Sequence, residues 1–179
     1  NRQWSISSLP PLEAVHVEGT EEQSPGQSYY NEAEAEAVAD EVETLLGAGV
    51  APADIGVITP YSGQIGKVRS ALAQLSGTNT GAVKVATVDS FQGSEREAIV
   101  VSFVRSNPQG FSGFLTFPNE GPRRLNVSLT RAKRRCVLIG NFDTLRTRAP
   151  TKDPDESCAD LYQDLYDHLD SRGILEPPG

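Results

Sequence analysis

The chain has 179 residues and carries 24 acidic against 16 basic side chains, so its formal net charge is −8. This acidic balance argues against a domain that coats nucleic acid over its whole surface, although it permits a local basic groove. Apolar residues make up 37% of the chain and come in short blocks. None approaches the roughly 20 residues that a membrane-spanning helix needs, so we expect no contact with a membrane.

The length fits one domain of ordinary size. Because the chain begins without Met, we expect it to be a fragment of a longer polypeptide. Cys136 and Cys158 lack the partners of a zinc site and indicate reduced thiols, so we predict a cytoplasmic protein without a metal site of its own. His16 and His168 are interpreted as structural residues.

Strands and helices alternate along the chain. Asn31 is predicted to cap a helix that ends near Gly47, and Glu32, Glu34 and Glu36 supply the negative charge that a helix N-terminus favours. The predicted strands span residues 12–17, 55–59, 83–88, 98–104 and 136–140, and further helices are predicted over 64–75, before residue 136, and over 157–172. This alternation favours an α/β fold with a largely parallel sheet.

The segment 121–141, GPRRLNVSLTRAKRRCVLIGN, concentrates positive charge in an acidic protein. At helical spacing Arg124, Ser128 and Arg131 form one ridge, which suits the binding of phosphate. The alternative, a solvated basic helix face, stays open on charge alone. The cations of the segment are Arg123, Arg124, Arg131, Lys133, Arg134 and Arg135.

Three predicted strands end in polar segments, at residues 59–64, 89–95 and 105–107. Ligands of parallel α/β sheets bind where strands end, and we expect these segments and the arginine-rich helix to form a site at one sheet edge. A phosphate-binding P-loop is excluded, because the nearest approach, Gly63-Gln-Ile-Gly66-Lys67-Val68, has the wrong spacing and no hydroxyl after its Lys. The chain therefore cannot be a complete ATPase.

Four blocks carry a family resemblance: VITPYSGQ (57–64), VATVDSFQGSEREAIVVSFVRSN (85–107), GFL (113–115) and RRLNVSLTRAKRRCVLIGN (123–141). They resemble the C-terminal motor domain of superfamily 1 helicases, in the 5′-to-3′ branch that includes the nonsense-mediated-decay helicase and the replication helicase-nuclease. Residues 15–17 and 28–38 match the start of that domain. The resemblance divides the chain into a lead-in (1–11), a second RecA-like domain (12–149) and a C-terminal loop with a packing helix (150–179).

The resemblance implies a RecA-like three-layer fold that lacks its own P-loop. ATP with Mg²⁺ would lie in a cleft shared with an N-terminal RecA-like domain of the same polypeptide, which carries the P-loop and the Mg²⁺ ligands. Single-stranded DNA or RNA would cross both domains. Hydrolysis would drive 5′-to-3′ translocation in the intact protein, whereas this fragment alone would be inactive.

Residue roles follow from the same resemblance. Arg131 matches the arginine finger, the catalytic residue that reaches the γ-phosphate across the cleft. The nucleotide side is matched by Glu95, Gly93, Gln92 and Arg124, and the nucleic-acid track by Thr59, Pro60, Tyr61, Thr87, Asp89 and Ser90. Arg124 could face ATP or brace Asp89 or Glu95, and Tyr61 could stack on a base or pack under the sheet edge. Segment 89–97, with Gln92 as its link, would couple the two sides.

Ser94 departs from the family pattern, which often has a basic residue after FQG, so one charge contact is in doubt. Two other functions stay open. A motor-inactive RecA-like interaction module is disfavoured by the presence of both Arg131 and Glu95. A flavodoxin-like nucleotide-binding protein is disfavoured by the missing glycine-rich phosphate loop.

Overall fold

The computed structural model describes residue 9 and residues 11–26, 28–75, 79–91, 94–106, 127–146, 163–167 and 175–176. Its strands are β1 (Leu12–His16), β2 (Glu22–Gln23), β3 (Tyr29–Tyr30), β4 (Ile55–Thr59), β5 (Lys84–Thr87), β6 (Arg96–Ser102), β7 (Ala132–Gly140) and β8 (Leu175–Glu176). Its helices include α1 (Glu32–Gly47), α2 (Ser62–Ala73) and α3 (Phe142–Arg146).

Six strands form one sheet in the order β5-β4-β6-β7-β1-β8, and every neighbouring pair is parallel. The strands β2 and β3 form a separate antiparallel pair. This confirms the predicted α/β class and its RecA-like arrangement of a parallel sheet with helices. Among the helices that the structure describes, none is long and apolar enough to span a bilayer.

Helix α1 begins and ends where the sequence predicts. The Asn31 side chain caps it by accepting a hydrogen bond from the Glu34 N–H at 3.2 Å. At its other end the chain turns at Gly49, whose φ of +92° favours glycine. Val38, Val42 and Leu45 are fully buried and hold α1 against the sheet.

The sheet separates two apolar layers, as buried strands do when both faces are covered. One layer joins α1 and α2 to the sheet through side chains such as Val42, Val68 and Val100. The other contains α3 and the segments that follow the strands, with Phe91 and Phe142 among its largest members.

The structure corrects the prediction for the arginine-rich segment. Within its described part, residues 127–130 are helical, Arg131 lies in a turn, and β7 already begins at Ala132. The predicted helix therefore ends earlier than expected and the strand starts four positions sooner. Pairing with β6, in which Ala132 lies opposite Arg96, draws this part of the chain into the sheet.

Two further elements differ from the prediction. The hairpin β2–β3 lies between the strand predicted over 12–17 and the helix capped by Asn31, where no strand was predicted, and β8 was not predicted either. Strands of two residues are too short to show alternation. Of the helix predicted over 157–172, residues 163–167 are described and are helical, while Cys158 and His168 lie outside the described residues.

Gly56, the second residue of β4, offers a test of the packing between β4 and Phe91. A methyl group added there would lie 2.5 Å from Phe91 Cζ and 2.8 Å from Ile99 Cδ1. We expect Gly56→Ala to lower the free energy of unfolding by about 1–3 kcal/mol, because the packed core must shift to admit the methyl group. Urea denaturation measures the change.

The matched control is Gly66→Ala in α2, where an added methyl group meets nothing within 4 Å. It should raise the free energy of unfolding by about 0.5–1 kcal/mol, since Ala restricts the unfolded chain and favours a helix. Equal effects of the two substitutions would contradict the packing described for Phe91.

Candidate functional site

Glu95 and Arg131 meet at the amino-terminal edge of the sheet. Glu95 directly precedes β6 and Arg131 directly precedes β7, and the Arg96 N–H donates a hydrogen bond to the Arg131 carbonyl at 3.0 Å. Glu95 is exposed, while Arg131 is half-buried. The Nε of Arg131 is buried and has no hydrogen-bond partner among the described residues. This edge thus carries both a carboxylate and a guanidinium, on segments that this backbone hydrogen bond joins.

The six residues predicted for the nucleic-acid track lie together at the opposite, carboxyl-terminal edge. Thr59 ends β4 opposite Thr87, which ends β5, and the remaining four follow these strands directly. Asp89 and Ser90 are exposed, and the Thr87 hydroxyl donates to Ser90 Oγ at 3.1 Å. Exposed hydroxyls at strand ends are suited to binding phosphate.

The expectation of a single site at one edge is therefore wrong. Parallel strands all begin at one edge and all end at the other, and Glu95 and Arg131 precede their strands, whereas the track residues follow theirs. The arginine-rich segment and the polar strand ends consequently lie at opposite edges of the sheet. The topology therefore places the candidate residues in two separate groups, one at each edge of the sheet.

Segment 88–96 connects the two edges. It leaves β5, forms a short 3₁₀ turn at Asp89–Phe91, and reaches the beginning of β6. Phe91 is fully buried on the sheet, with Lys84 Nζ 4.6 Å from its ring centroid. Ser94, which replaces the basic residue of the family pattern, accepts a hydrogen bond from Arg96 Nη1 at 3.0 Å. Gln92, Gly93 and Arg124 lie outside the described residues, and their roles stay predictions.

Tyr61 packs under the carboxyl-terminal edge. It is 8% exposed, its ring meets Tyr29 edge-on at 5.5 Å, and its hydroxyl accepts a hydrogen bond from Arg105 Nη1 at 3.2 Å. Burial raises the pKa of Tyr61, which stays a neutral phenol. Of the two alternatives for this residue, the structure favours packing over stacking on a base.

Arg105 belongs to the polar segment 105–107, but no individual role was predicted for it from the sequence, and the structure places it in the centre of a buried cluster at this edge. Its Nε bonds both carboxylate oxygens of Glu21, at 3.2 and 3.1 Å, and its guanidinium lies 4.0 Å above the Tyr29 ring. Only 6% of Arg105 is exposed. Its place three residues after β6 was a usable signal, but nothing in the sequence around Glu21 pointed to a partner.

Glu34, predicted to supply negative charge at the N-terminus of α1, has a further role in the structure. It is fully buried, and its carboxyl group accepts hydrogen bonds from the Ser102 hydroxyl at 3.0 Å and the Val104 N–H at 2.9 Å. Burial raises the pKa of Glu34 to about 8, although these donors oppose the rise.

His16, Glu18 and Asp143 form a small cluster whose potential ligand atoms lie within 4.8 Å of one another. Both ring nitrogens of His16 already contact protein: Nδ1 accepts from the Phe142 N–H at 3.3 Å, and Nε2 lies 3.3 Å from Glu18 Oε1. These contacts account for His16 as a residue that joins β1 to α3.

The chain was compared with known proteins. The sequence profile of the family described as "AAA domain" matches residues 1–143. A protein of Neurospora crassa described as a regulator of nonsense transcripts 1 homolog is 44% identical over 142 residues, which cover 77% of this chain and 12% of that protein. The DNA replication ATP-dependent helicase/nuclease DNA2 of Mus musculus is 37% identical over 177 residues, covering 96% of this chain and 15% of that protein.

The ATP-dependent helicase NAM7 of Saccharomyces cerevisiae is 39% identical over 176 residues, covering 96% of this chain and 16% of that protein. The chain thus spans between 12% and 16% of the length of these three relatives. The profile match includes the predicted lead-in of residues 1–11, so the predicted domain boundaries stay predictions. With the RecA-like parallel sheet and the motif blocks in order, the chain belongs to the AAA domain family, among the superfamily 1 helicases.

Proposed function

We propose that the chain is the second motor domain of an ATP-dependent helicase that moves 5′ to 3′ along single-stranded DNA or RNA. The observation that carries the proposal is the segment 88–96, which joins one sheet edge bearing Glu95 and Arg131 to another bearing Thr87 and Ser90. A motor needs this arrangement, because nucleotide and nucleic acid bind apart and must influence each other. Two of the relatives are named as ATP-dependent helicases.

The amino-terminal edge fits the nucleotide. Arg131 is half-buried, and its Nε has no hydrogen-bond partner among the described residues, as expected of a guanidinium that binds an anionic ligand. In the proposed complex it contacts the γ-phosphate, and Glu95 contacts the ribose. ATP supplies the phosphoryl group, and Arg131 stabilises the charge that develops on it. The P-loop and the Mg²⁺ ligands belong to an N-terminal RecA-like domain of the same polypeptide.

The carboxyl-terminal edge fits the nucleic-acid backbone. The hydroxyls of Thr87 and Ser90 lie 3.1 Å apart, at the end of β5 and in the 3₁₀ turn that follows it. Such groups bind phosphate oxygens and position a strand without reading its bases. Because Tyr61 is packed beneath this edge, it supports the track from below and does not stack on a base.

ATP hydrolysis by the full-length protein, with and without single-stranded DNA and RNA, tests the proposal. We expect at least one of the two strands to stimulate hydrolysis, and the 179-residue chain alone to hydrolyse no ATP. A full-length protein with an intact P-loop domain that lacks ATPase activity with either strand would contradict the proposal. It would favour the motor-inactive interaction module.

A further inference from the structure

Val104 has an unusual backbone conformation. Its φ is +73°, which is rare for a residue with a β-branched side chain. The Arg105 N–H donates to the Phe103 carbonyl at 2.8 Å, so the three residues form a γ-turn of the strained, positive-φ form. A strained turn persists only where its surroundings hold it in place.

Two side chains of α1 hold this turn. Glu34 Oε1 accepts a hydrogen bond from the Val104 N–H at 2.9 Å, and Asn31 Nδ2 donates to the Val104 carbonyl at 3.1 Å. Both side chains are fully buried. The peptide groups on the two sides of Val104 are therefore both tied to the first turn of one helix.

A second set of bonds fixes the two holding residues. Gln64 Oε1 accepts from the Asn31 N–H at 2.9 Å, and Gln64 Nε2 donates to the Asn31 carbonyl at 2.9 Å and to Ser102 Oγ at 3.1 Å. The Ser102 hydroxyl donates in turn to Glu34. This buried network joins α1, α2 and β6, and Gln64 lies three residues after Tyr61 in the block VITPYSGQ.

The turn determines where Arg105 goes. Directly after Val104, the Arg105 side chain turns back over Tyr29, bonds Glu21 and donates to the Tyr61 hydroxyl. Tyr61 is continuous with Thr59 and Pro60 at the carboxyl-terminal edge. A change at the turn would thus move Arg105 and release Tyr61.

We propose that Asn31 and Glu34 are positioning residues for nucleic-acid binding. They hold the γ-turn at Val104, which fixes Arg105 against Tyr61 and so sets the shape of the edge along which the strand lies. The inference rests on the proposed function, since it assigns the carboxyl-terminal edge to nucleic acid. Neither residue contacts the strand itself.

Three variants and one control separate this role from a general effect on folding. Glu34→Ala removes the acceptor of the Val104 N–H, whereas Glu34→Gln keeps an acceptor oxygen there. Asn31→Ser keeps a side chain that caps α1 well but removes the donor to the Val104 carbonyl. Glu36→Ala alters an exposed carboxylate on the same helix and serves as the control.

The measurement is the concentration of single-stranded oligonucleotide that half-maximally stimulates ATP hydrolysis by the full-length protein. Glu34→Ala and Asn31→Ser should raise it about tenfold, because each loses a buried hydrogen bond to the turn, and Glu34→Gln should raise it less. Basal hydrolysis and the KM for ATP should not change. Glu36→Ala should match the unaltered protein.

Unchanged half-maximal concentrations in Glu34→Ala and Asn31→Ser would overturn the inference, as would a parallel fall in basal hydrolysis. Should Glu34→Ala fail to fold, Asn31→Ser decides, because its helix cap is kept. An unaltered protein that hydrolyses ATP without any response to a strand would instead refute the proposed function, and the two failures are distinguishable.

Discussion

Replacing Arg131 with Ala is expected to lower kcat for nucleic-acid-stimulated ATP hydrolysis by about 10³- to 10⁵-fold, the range measured for arginine fingers in related NTPases. The guanidinium would stabilise charge on the transferring phosphoryl group, and Arg131 combines a half-buried side chain with a buried Nε that has no hydrogen-bond partner among the described residues. Steady-state hydrolysis by the full-length protein at saturating ATP and strand measures the effect.

Lys133→Ala is the matched control, because Lys133 is an exposed cation two positions along the chain and already within β7. It should leave kcat within a factor of two of the unaltered protein, on the order of what exposed charges contribute. Normal hydrolysis after Arg131→Ala would show that another residue performs this role. Equal losses in both variants would point to a general electrostatic effect.

Arg135→Ala is expected to lower the free energy of unfolding by about 3–5 kcal/mol, because it leaves buried carboxylates without their cation. Arg135 is 2% exposed, and its guanidinium bonds Glu13 and also Glu41 Oε1, at 2.7 Å. Burial raises the pKa of Glu41 against the effect of Arg135. Urea denaturation of the chain, monitored by far-UV circular dichroism, measures the loss.

Arg134→Ala is its control, since this neighbour has a largely exposed side chain and pairs with Glu97 at 2.9 Å. We expect a change within about 0.5 kcal/mol. Replacing Glu13, Arg135 and Glu41 together with Leu, Met and Leu should restore most of the stability, as removing a whole buried ion cluster often does. A triple variant that loses as much unfolding free energy as Arg135→Ala would contradict this explanation.

The helices and the main strands could be predicted because their signals are local. Asn31 caps α1, and Val38, Val42 and Leu45 recur at helical spacing in the sequence as they do in the core. Residues at the ends of such elements mark where they begin and end. The hairpin β2–β3 has no local signal of this kind, since a two-residue strand shows no period and depends on its partner across the turn.

The arginine-rich segment could not be divided correctly from sequence, because its charges have separate, distant partners. Arg135 lies 94 residues from Glu41 and 122 from Glu13 along the chain, yet the three meet in the interior. Counting charges locally grouped Arg135 with the other cations of this segment. Only the strand register of β7 assigns it to the core, while Arg131 stays at the edge.

The candidate site, too, could be predicted only in part from the sequence. The residue types could be identified from the motif blocks, but which edge each occupies depends on whether it precedes or follows a strand. Glu34 illustrates a further limit: its position in the first turn of α1 predicts negative charge at the helix N-terminus, whereas in the structure the turn at Val104 closes over it. The periodicity of the sequence does not predict the contact between Glu34 and Val104, which lie 70 positions apart.

The place of β1 in the sheet has a consequence for biosynthesis. Leu12 pairs with Cys136 and Ala14 with Leu138, so β1 is synthesised more than a hundred residues before β7, the partner it needs in the sheet. Contacts between such distant parts of a chain slow folding. They also prolong the exposure of apolar side chains and of unpaired strand edges. A nascent polypeptide with this topology would complete its sheet only after nearly the whole domain has been translated. Until then it would expose the kind of apolar surface that chaperones bind.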